Sequence, residues 1–221
     1  MTMQLYYFPW GIYPRRVLIY LKEKGAAAIE LTEIDMVAGE NRAPWFLAVN
    51  PAATVPVLRT ESGVLVRETA AIIEYLEEVL PGPDLIGTTP ERRARTRDLA
   101  GLVQVAYAFG NTYVAQLSPL LEHRVTRSPG AVAAMLEEHE RQLTTLEGQA
   151  GDGAFMGGDT PSIADITFFA SAQYFDLFYR FPLPERFARL RAIYERFSHR
   201  PSAAPPTYPE ALARIAGIVR G

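Results

Sequence analysis

The 221-residue sequence contains no cysteine. This absence excludes disulfide bonds, cysteine-ligated metal sites and any mechanism that uses a protein thiol. Histidine is also scarce. The three histidines, His123, His139 and His199, lie far apart without metal-ligand spacing, so we interpret them as structural or surface residues and expect no metal.

Long apolar runs and a strong charge of either sign are also lacking. No stretch approaches the roughly 18 apolar residues of a membrane span, and the N-terminus does not resemble a signal peptide, so we expect a cytoplasmic protein. The net charge is −3 and the basic residues are dispersed, which argues against nucleic acid as the main partner.

Hydrophobic residues make up 48% of the chain, enough for two modest cores. The segment Pro81-Gly82-Pro83 separates two different patterns of apolar residues. We therefore predict an α/β domain over residues 1–81, a linker over 82–90 and an all-α domain of about five helices over 91–221.

In the first domain, short apolar runs alternate with a helical pattern. Leu5 to Phe8 and Ile29 to Ile34 are predicted strands, and Arg15 to Lys24 is a predicted helix that ends at Gly25. Further along, the runs Val55 to Leu58 and Val64 to Val66 flank a Glu-Ser-Gly turn, which predicts a β-hairpin.

A ligand site is predicted around this hairpin. Pro56 cannot donate to a strand ladder, so Val55 is expected to have backbone groups available for a ligand of peptide character. A helix follows the hairpin with Thr69 at its expected N-cap and Glu68 before it. The start of this helix suits a carboxylate, because unpaired N–H groups and the positive end of the dipole lie there.

These motifs resemble those of the glutathione transferases, whose first domain is a thioredoxin-like fold. The resemblance implies a cis bond between Val55 and Pro56, with the Val55 backbone binding the cysteinyl part of glutathione. It also implies that Glu68 and Thr69 bind the γ-glutamyl end. Taken singly, the hairpin and the Thr69 cap would be ordinary structural features; their combination at this spacing favours the family.

The glycyl end of glutathione is expected near Asn41 and Arg42. Relatives of this branch often have a histidine at the position of Asn41, and asparagine keeps an amide donor but cannot carry positive charge. Arg42 either supplies that charge or is a solvated loop residue.

Members of this family lower the thiol pKa of bound glutathione, often with a Ser or Cys in the loop after the first strand. Here Gly11 occupies that position and Ile12 follows, and neither has a side-chain donor. The pattern Pro-x-Gly-x-Tyr-Pro-x-Arg-Val, beginning at Pro9, resembles a branch of fungal and bacterial transferases that lacks this Ser or Cys.

Three donors for the thiolate remain open. Tyr13 lies one residue before the predicted helix, with Pro14 at the first helical position, and its alternative role is that of a hinge residue. The loop backbone over residues 11–13, with a bound water and the helix dipole, is the second. Tyr7 matches the strand-end tyrosine of other transferases, but it is equally explained as a core aromatic. Tyr13 and the loop backbone rank ahead of Tyr7.

In this family the electrophile pocket lies between that loop and the first long helix of the second domain. The resemblance therefore implies a hydrophobic pocket, although core packing is the alternative for most of its aromatic residues. The positions concerned are Trp10, Ile12, Tyr107, Gly110, Asn111 and Tyr113.

Two further features are predicted to serve folding and assembly. Ser162 and Asp165 have the spacing of a capping box ahead of an apolar helix, where they are expected to stabilise the fold. Family dimers pair the third and fourth helices of two subunits. In a homodimer of this chain, arginines of one subunit would meet glutamates of the other; the arginines are Arg92, Arg93, Arg95 and Arg97, and the glutamates are Glu74, Glu77 and Glu78.

The expected function is that of a detoxifying glutathione transferase, with glutathione as co-substrate and a hydrophobic electrophile as its second substrate. Hydroperoxide reduction, dehalogenation and ether cleavage remain open. The alternative is a glutathione- or hydrophobic-ligand-binding protein without turnover, because the loop lacks the usual Ser or Cys.

Overall fold

The computed structural model describes residues 2–26, 29–122 and 125–217. The chain divides into two compact units, and the boundary follows Asp84, within the predicted linker. The first unit is mixed α/β and the second is helical, which confirms the predicted fold class. His123 lies outside the described residues.

A four-stranded sheet forms the centre of the N-terminal unit. Its order is β2-β1-β3-β4, with β1 parallel to β2, and with β3 antiparallel to both β1 and β4. The strands are β1 (Met3–Tyr7), β2 (Ile29–Glu33), β3 (Val57–Arg59) and β4 (Leu65–Val66). The helices are α1 (Ile12–Lys24), α2 (Pro44–Val49) and α3 (Thr69–Val79), with a short 3-10 helix at Glu40–Arg42.

This topology brings four loops to one edge of the sheet. The parallel strands β1 and β2 both end there, and because β3 is antiparallel to them, β3 begins there. Strand β4 runs opposite to β3, so it ends at the same edge, and α3 begins just after it. The loops after β1, after β2, before β3 and before α3 therefore meet.

The starts of two helices differ from their predicted positions. Helix α1 begins at Ile12, not Arg15, because the Gly11 carbonyl accepts from the amide of Arg15 at 3.0 Å and closes an earlier turn. Pro14 is thus the third helical residue. Helix α3 begins at Thr69, so its N-cap is Glu68 and the prediction of Thr69 as the cap was wrong by one residue.

On one face of the sheet, Tyr6 and Val57 pack against Phe46 of α2 and the neighbouring Val49. Elsewhere in this unit, α1 and α3 are joined by a buried ion pair. The Lys24 ammonium lies 2.9 Å from the Glu77 carboxylate, and the Tyr20 hydroxyl donates to the same carboxylate oxygen at 2.6 Å. Burial, followed by this carboxylate, raises the pKa of Tyr20.

The C-terminal unit contains α4 (Pro90–Leu117), α5 (Pro129–Gln149), α6 (Ile163–Leu177), α7 (Ala188–Ser198) and α8 (Glu210–Ala216). Helix α4 packs against both α5 and α6, and nearly all of α6 is buried. Within the described ranges, no helix combines the length and apolar character needed to cross a membrane.

The predicted capping box at the start of α6 is confirmed. The Asp165 carboxylate accepts from the amide and hydroxyl of Ser162 at 2.9 and 2.7 Å, and from the amide of Met156 at 2.8 Å. Burial raises the pKa of the Asp165 carboxyl, while these hydrogen bonds oppose the rise. The carboxylate thus joins the start of α6 to the preceding loop.

Candidate functional site

Val55 lies at the sheet edge with its backbone groups available. The Val55–Pro56 peptide bond is cis. Among the described residues, neither the N–H nor the C=O of Val55 has a hydrogen-bond partner. Tyr6 pairs with Val57 in the sheet, and extending this register by two residues places Val55 opposite Phe8. The available peptide groups therefore lie beside the start of the loop that follows β1.

Buried asparagines hold the loop that leads to Val55. The amide of Asn50 donates to the Thr54 carbonyl at 2.7 Å, and the Asn50 side-chain oxygen accepts from the Ala52 amide at 3.2 Å. Asn41 donates to the Ala53 carbonyl at 2.8 Å. Our sequence reasoning missed Asn50, although an Asn-Pro pair at a turn is a recognisable signal.

The start of α3 offers a second set of unpaired donors. Its N-cap, Glu68, is exposed and makes no capping hydrogen bond with its side chain. The first amide bonded within the helix is that of Ile72, which donates to the Glu68 carbonyl at 2.8 Å. Within the described parts of the chain, the amides of residues 69–71 have no partner, so this helix start is suited to an anion.

The start of α1 offers fewer donors than the sequence suggested. The Gly11 amide donates to the Phe8 carbonyl at 3.2 Å, and Pro14 has no amide proton. The Gly11 amide is therefore not available to the thiolate, although it was among the backbone donors expected over residues 11–13. A Cβ atom on Gly11 would lie 3.0 Å from Cδ of Pro14, so a Ser or Cys here would be crowded by the proline ring.

Tyr7 and Tyr13 lie in opposite electrostatic surroundings. Burial and the nearby Glu33 carboxylate raise the pKa of Tyr7, whose hydroxyl therefore keeps its proton. Tyr13 is 41% exposed at the second position of α1, and the Arg16 guanidinium lies 5.1 Å from the centre of its ring. A nearby cation favours an anionic ligand, whereas a nearby carboxylate opposes it.

Asn41 and Arg42 are adjacent on the 3-10 helix but differ in environment. Asn41 is buried and bonded to the loop before Val55. Arg42 is exposed, and its guanidinium has no ion pair or hydrogen bond among the described residues. The Arg42 guanidinium is therefore available to supply positive charge at this side of the site.

Two of the residues expected to line the electrophile pocket are instead packed in the core of the helical unit. Tyr107 is 2% exposed, and its ring contacts those of His139 and Phe175. Gly110 faces the same cluster, since a Cβ there would lie 2.7 Å from Phe175. Tyr107 and Gly110 thus belong to the core of the helical unit.

The other expected pocket residues differ in surroundings. Trp10 packs edge-on against Phe8, with ring centres 4.9 Å apart, and the Ile12 side chain is buried. Asn111 is half-buried on α4. Tyr113 borders a cavity of about 610 Å³ within the helical unit, together with Leu117, Val132, Leu136 and Phe181.

In the described ranges, no group of three or more His, Cys, Asp or Glu residues is arranged to hold a metal ion. Burial lowers the pKa of His139, whose Nδ1 lies 2.8 Å from the Ala106 carbonyl. This histidine is a neutral core residue.

Both units are similar to those of known proteins. Family models for the N-terminal and C-terminal domains of glutathione S-transferase match residues 10–79 and 129–196. Glutathione S-transferase 2 of Saccharomyces cerevisiae is 30% identical over 211 residues, which cover 90% of this chain and 87% of that protein. A maleylacetoacetate isomerase of Pseudomonas aeruginosa is 31% identical over 225 residues, covering 96% of this chain and 100% of that protein.

A solved structure gives the same result. The glutathione S-transferase domain-containing protein of Marinobacter aquaeolei superposes with a TM-score of 0.78 at 30% identity, covering 91% of this chain and 100% of that one. The sequence relationship extends through both units and agrees with the architecture of each. The chain belongs to the glutathione S-transferase family of enzymes.

Proposed function

We propose that the N-terminal unit binds reduced glutathione at the sheet edge, lowers its thiol pKa and transfers the thiolate to a hydrophobic electrophile. The observation that carries this proposal is the available N–H and C=O of Val55 beside Pro56. The cysteinyl residue of glutathione would pair with these groups as a short added strand.

The two ends of glutathione find complementary groups at the same edge. Its γ-glutamyl carboxylate suits the amides of residues 69–71 and the Thr69 hydroxyl, while the exposed Glu68 carboxylate suits the ammonium group. The glycyl carboxylate suits Arg42.

The chemistry requires the thiol in its ionised form. An unperturbed cysteine thiol has a pKa of about 8.5, so only a few per cent is thiolate at neutral pH. After the thiol proton passes to solvent, the sulfur lone pair forms a bond to the electrophilic carbon. The electron pair of the broken bond leaves with the halide or aryl oxide, or moves onto an activating carbonyl.

We place stabilisation of the thiolate at the start of α1. The Ile12 amide and the positive end of the helix dipole act there, and the Tyr13 hydroxyl is the side-chain candidate. Arg16 near Tyr13 favours an anion, whereas Glu33 near Tyr7 opposes one. These charges support ranking Tyr13 and the helix start ahead of Tyr7.

The pKa of the bound thiol tests this proposal. Thiolate absorbance in the ultraviolet, followed against pH, is expected to show a pKa clearly below that of free glutathione. Tyr13→Phe should raise this pKa, and Tyr7→Phe should leave it unchanged. If neither variant changes it, the helix start alone stabilises the sulfur. A thiol pKa equal to that of free glutathione would instead support the non-catalytic binding protein, for which the missing side-chain donor at Gly11 is the argument.

The electrophile is best identified with a chemically varied panel. Aryl halides, enones, hydroperoxides and aryl ethers cover the reactions open to a bound thiolate. Maleylacetoacetate is included because one full-length relative is named an isomerase of that compound. Turnover above the solution rate with any of these establishes catalysis.

We also propose a homodimer, with two revisions of the expected contacts. Glu77 is held inside its own subunit by Lys24 and Tyr20, so it is not available to arginines of a partner. Arg95 is likewise engaged, with Asp98 at 2.6 Å and the Gln149 carbonyl at 2.5 Å.

A further inference from the structure

The Asn41 side chain is directed into the protein. It is only 7% exposed, and its Nδ2 lies 2.8 Å from the carbonyl oxygen of Ala53, twelve residues away in sequence. A carbonyl oxygen can only accept, so the amide nitrogen must face it. Little surface is left on Asn41 for direct contact with a ligand.

The bonded partner is a constrained point in the chain. Ala53 has a φ of 54°, in the left-handed region that non-glycine residues rarely adopt because Cβ approaches the following carbonyl oxygen. Its amide donates to the Asn50 carbonyl at 2.9 Å, while its carbonyl accepts from Asn41. The surrounding hydrogen bonds therefore hold a conformation that alanine would not favour by itself.

This constrained residue directs the chain towards Val55, two residues later. Thr54, between them, is held by the Asn50 amide through both its carbonyl and its hydroxyl, at 2.7 and 3.0 Å. The orientation of the Val55 peptide groups thus depends on the hydrogen bonds made by Asn50 and Asn41.

We propose that Asn41 is a positioning residue: it orients the Val55 backbone for the cysteinyl part of glutathione and does not contact the glycyl carboxylate. The proposal rests on the proposed glutathione site. Recognition of the glycyl carboxylate falls to the neighbouring Arg42, which is exposed and has no ion pair among the described residues.

A ligand that lacks the glycyl residue distinguishes positioning of Val55 from direct contact with the glycyl carboxylate. Calorimetry would give the Kd of glutathione and of γ-glutamylcysteine, which lacks the glycine, for the wild type, Asn41→Ala and the matched neighbour Arg42→Ala. Asn41→Ala should weaken both ligands by the same factor, about tenfold for one lost hydrogen bond. Arg42→Ala should weaken glutathione alone.

The possible outcomes are distinct. If Asn41→Ala weakens glutathione but not γ-glutamylcysteine, Asn41 contacts the glycyl end and the inference is wrong. Unchanged affinity for both ligands also overturns it. If the wild type binds neither ligand, the proposed glutathione site itself fails.

A measurement on the wild type covers the case in which Asn41→Ala does not fold. The side-chain amide signals of Asn41, followed by NMR, should show one protected proton without ligand. They should then shift equally with glutathione and γ-glutamylcysteine. A signal that shifts only with glutathione would contradict the positioning role.

Discussion

At the scale of single residues, tertiary neighbours determine what a side chain is able to do. Gly11 and Gly110 illustrate this, because different neighbours limit the space for a Cβ atom at each position. The first is limited by the ring of Pro14, three residues later in the first turn of α1, and the second by Phe175 and His139 from other helices. Neither glycine has a positive φ, so space rather than backbone conformation explains both.

Gly110→Ala is expected to destabilise the protein. The new Cβ would lie 2.7 Å from Phe175 and 3.0 Å from His139, both in the buried aromatic cluster, so the rings must shift. We expect the free energy of unfolding to fall by about 1–3 kcal/mol, the usual cost of overpacking. Urea unfolding measures this loss.

Gly101→Ala is the matched control on the same helix. A Cβ there meets no atom within 4 Å, so helix propensity should raise stability by up to about 1 kcal/mol. Equal effects of the two substitutions would show that packing at Gly110 is not tight.

At the scale of secondary structure elements, the helix starts differ in how their backbone donors are satisfied. Helices α4, α5 and α6 are capped by side chains, from Thr89, Ser128 and Ser162. Helices α1 and α3, which begin at the candidate site, have no cap from their own N-cap side chain, and α2, α7 and α8 also lack one. At α3 the amides of residues 69–71 have no partner among the described residues, so the donors of this helix start remain for a ligand.

Asp165→Ala should therefore reduce stability without changing glutathione affinity. Three hydrogen bonds to a fully buried carboxylate are lost, which leaves the buried amide of Met156 and the partly buried amide of Ser162 without their acceptor, and we expect a loss of about 3 kcal/mol. Ser128→Ala removes one long cap of 3.4 Å and should cost about 0.5 kcal/mol. Unchanged melting with lost glutathione binding would contradict a purely structural role for Asp165.

At the scale of the whole molecule, charge pairs internal to the chain differ from charges that remain for the proposed dimer. The Lys24–Glu77 pair is internal to the N-terminal unit, with side chains only 3% and 9% exposed. Lys24 also donates to the Pro83 carbonyl at 2.8 Å, which fastens the end of this unit. The pair therefore stabilises the fold of one subunit.

Lys24→Met should lower the free energy of unfolding by about 3–5 kcal/mol, because the buried Glu77 carboxylate loses its cation. Light scattering should still give about twice the chain mass of 24.5 kDa, since the proposed dimer does not use this internal pair. As a control, Arg214→Met removes an exposed pair with Glu210 and should leave stability nearly unchanged. A monomeric wild type would remove the proposed dimer.

The sequence by itself determined the fold class, the family, the hairpin before α3 and the capping box of α6. The fold class, the hairpin and the capping box depend on local signals: alternating apolar residues, a turn tripeptide, and a cap with its partner three residues away. The family depends on the combination of such motifs at their spacing. Local signals of this kind lie within a few consecutive residues, so they can be recognised without knowledge of the tertiary contacts. The helix starts were the exception, because one backbone hydrogen bond from Arg15 to Gly11 moved the first turn of α1 by three residues.

Only the tertiary structure decided which of the candidate groups are already engaged within the protein. It paired Asn41 with Ala53, and Glu77 with Lys24, and it placed Tyr107 against His139 and Phe175. The physical reason is that a donor, charge or ring is available to a ligand only when no residue from another part of the chain has engaged it. Those partners lie 12 to 68 positions away, counted from Asn41–Ala53 to Tyr107–Phe175, and no local pattern in the sequence specifies them.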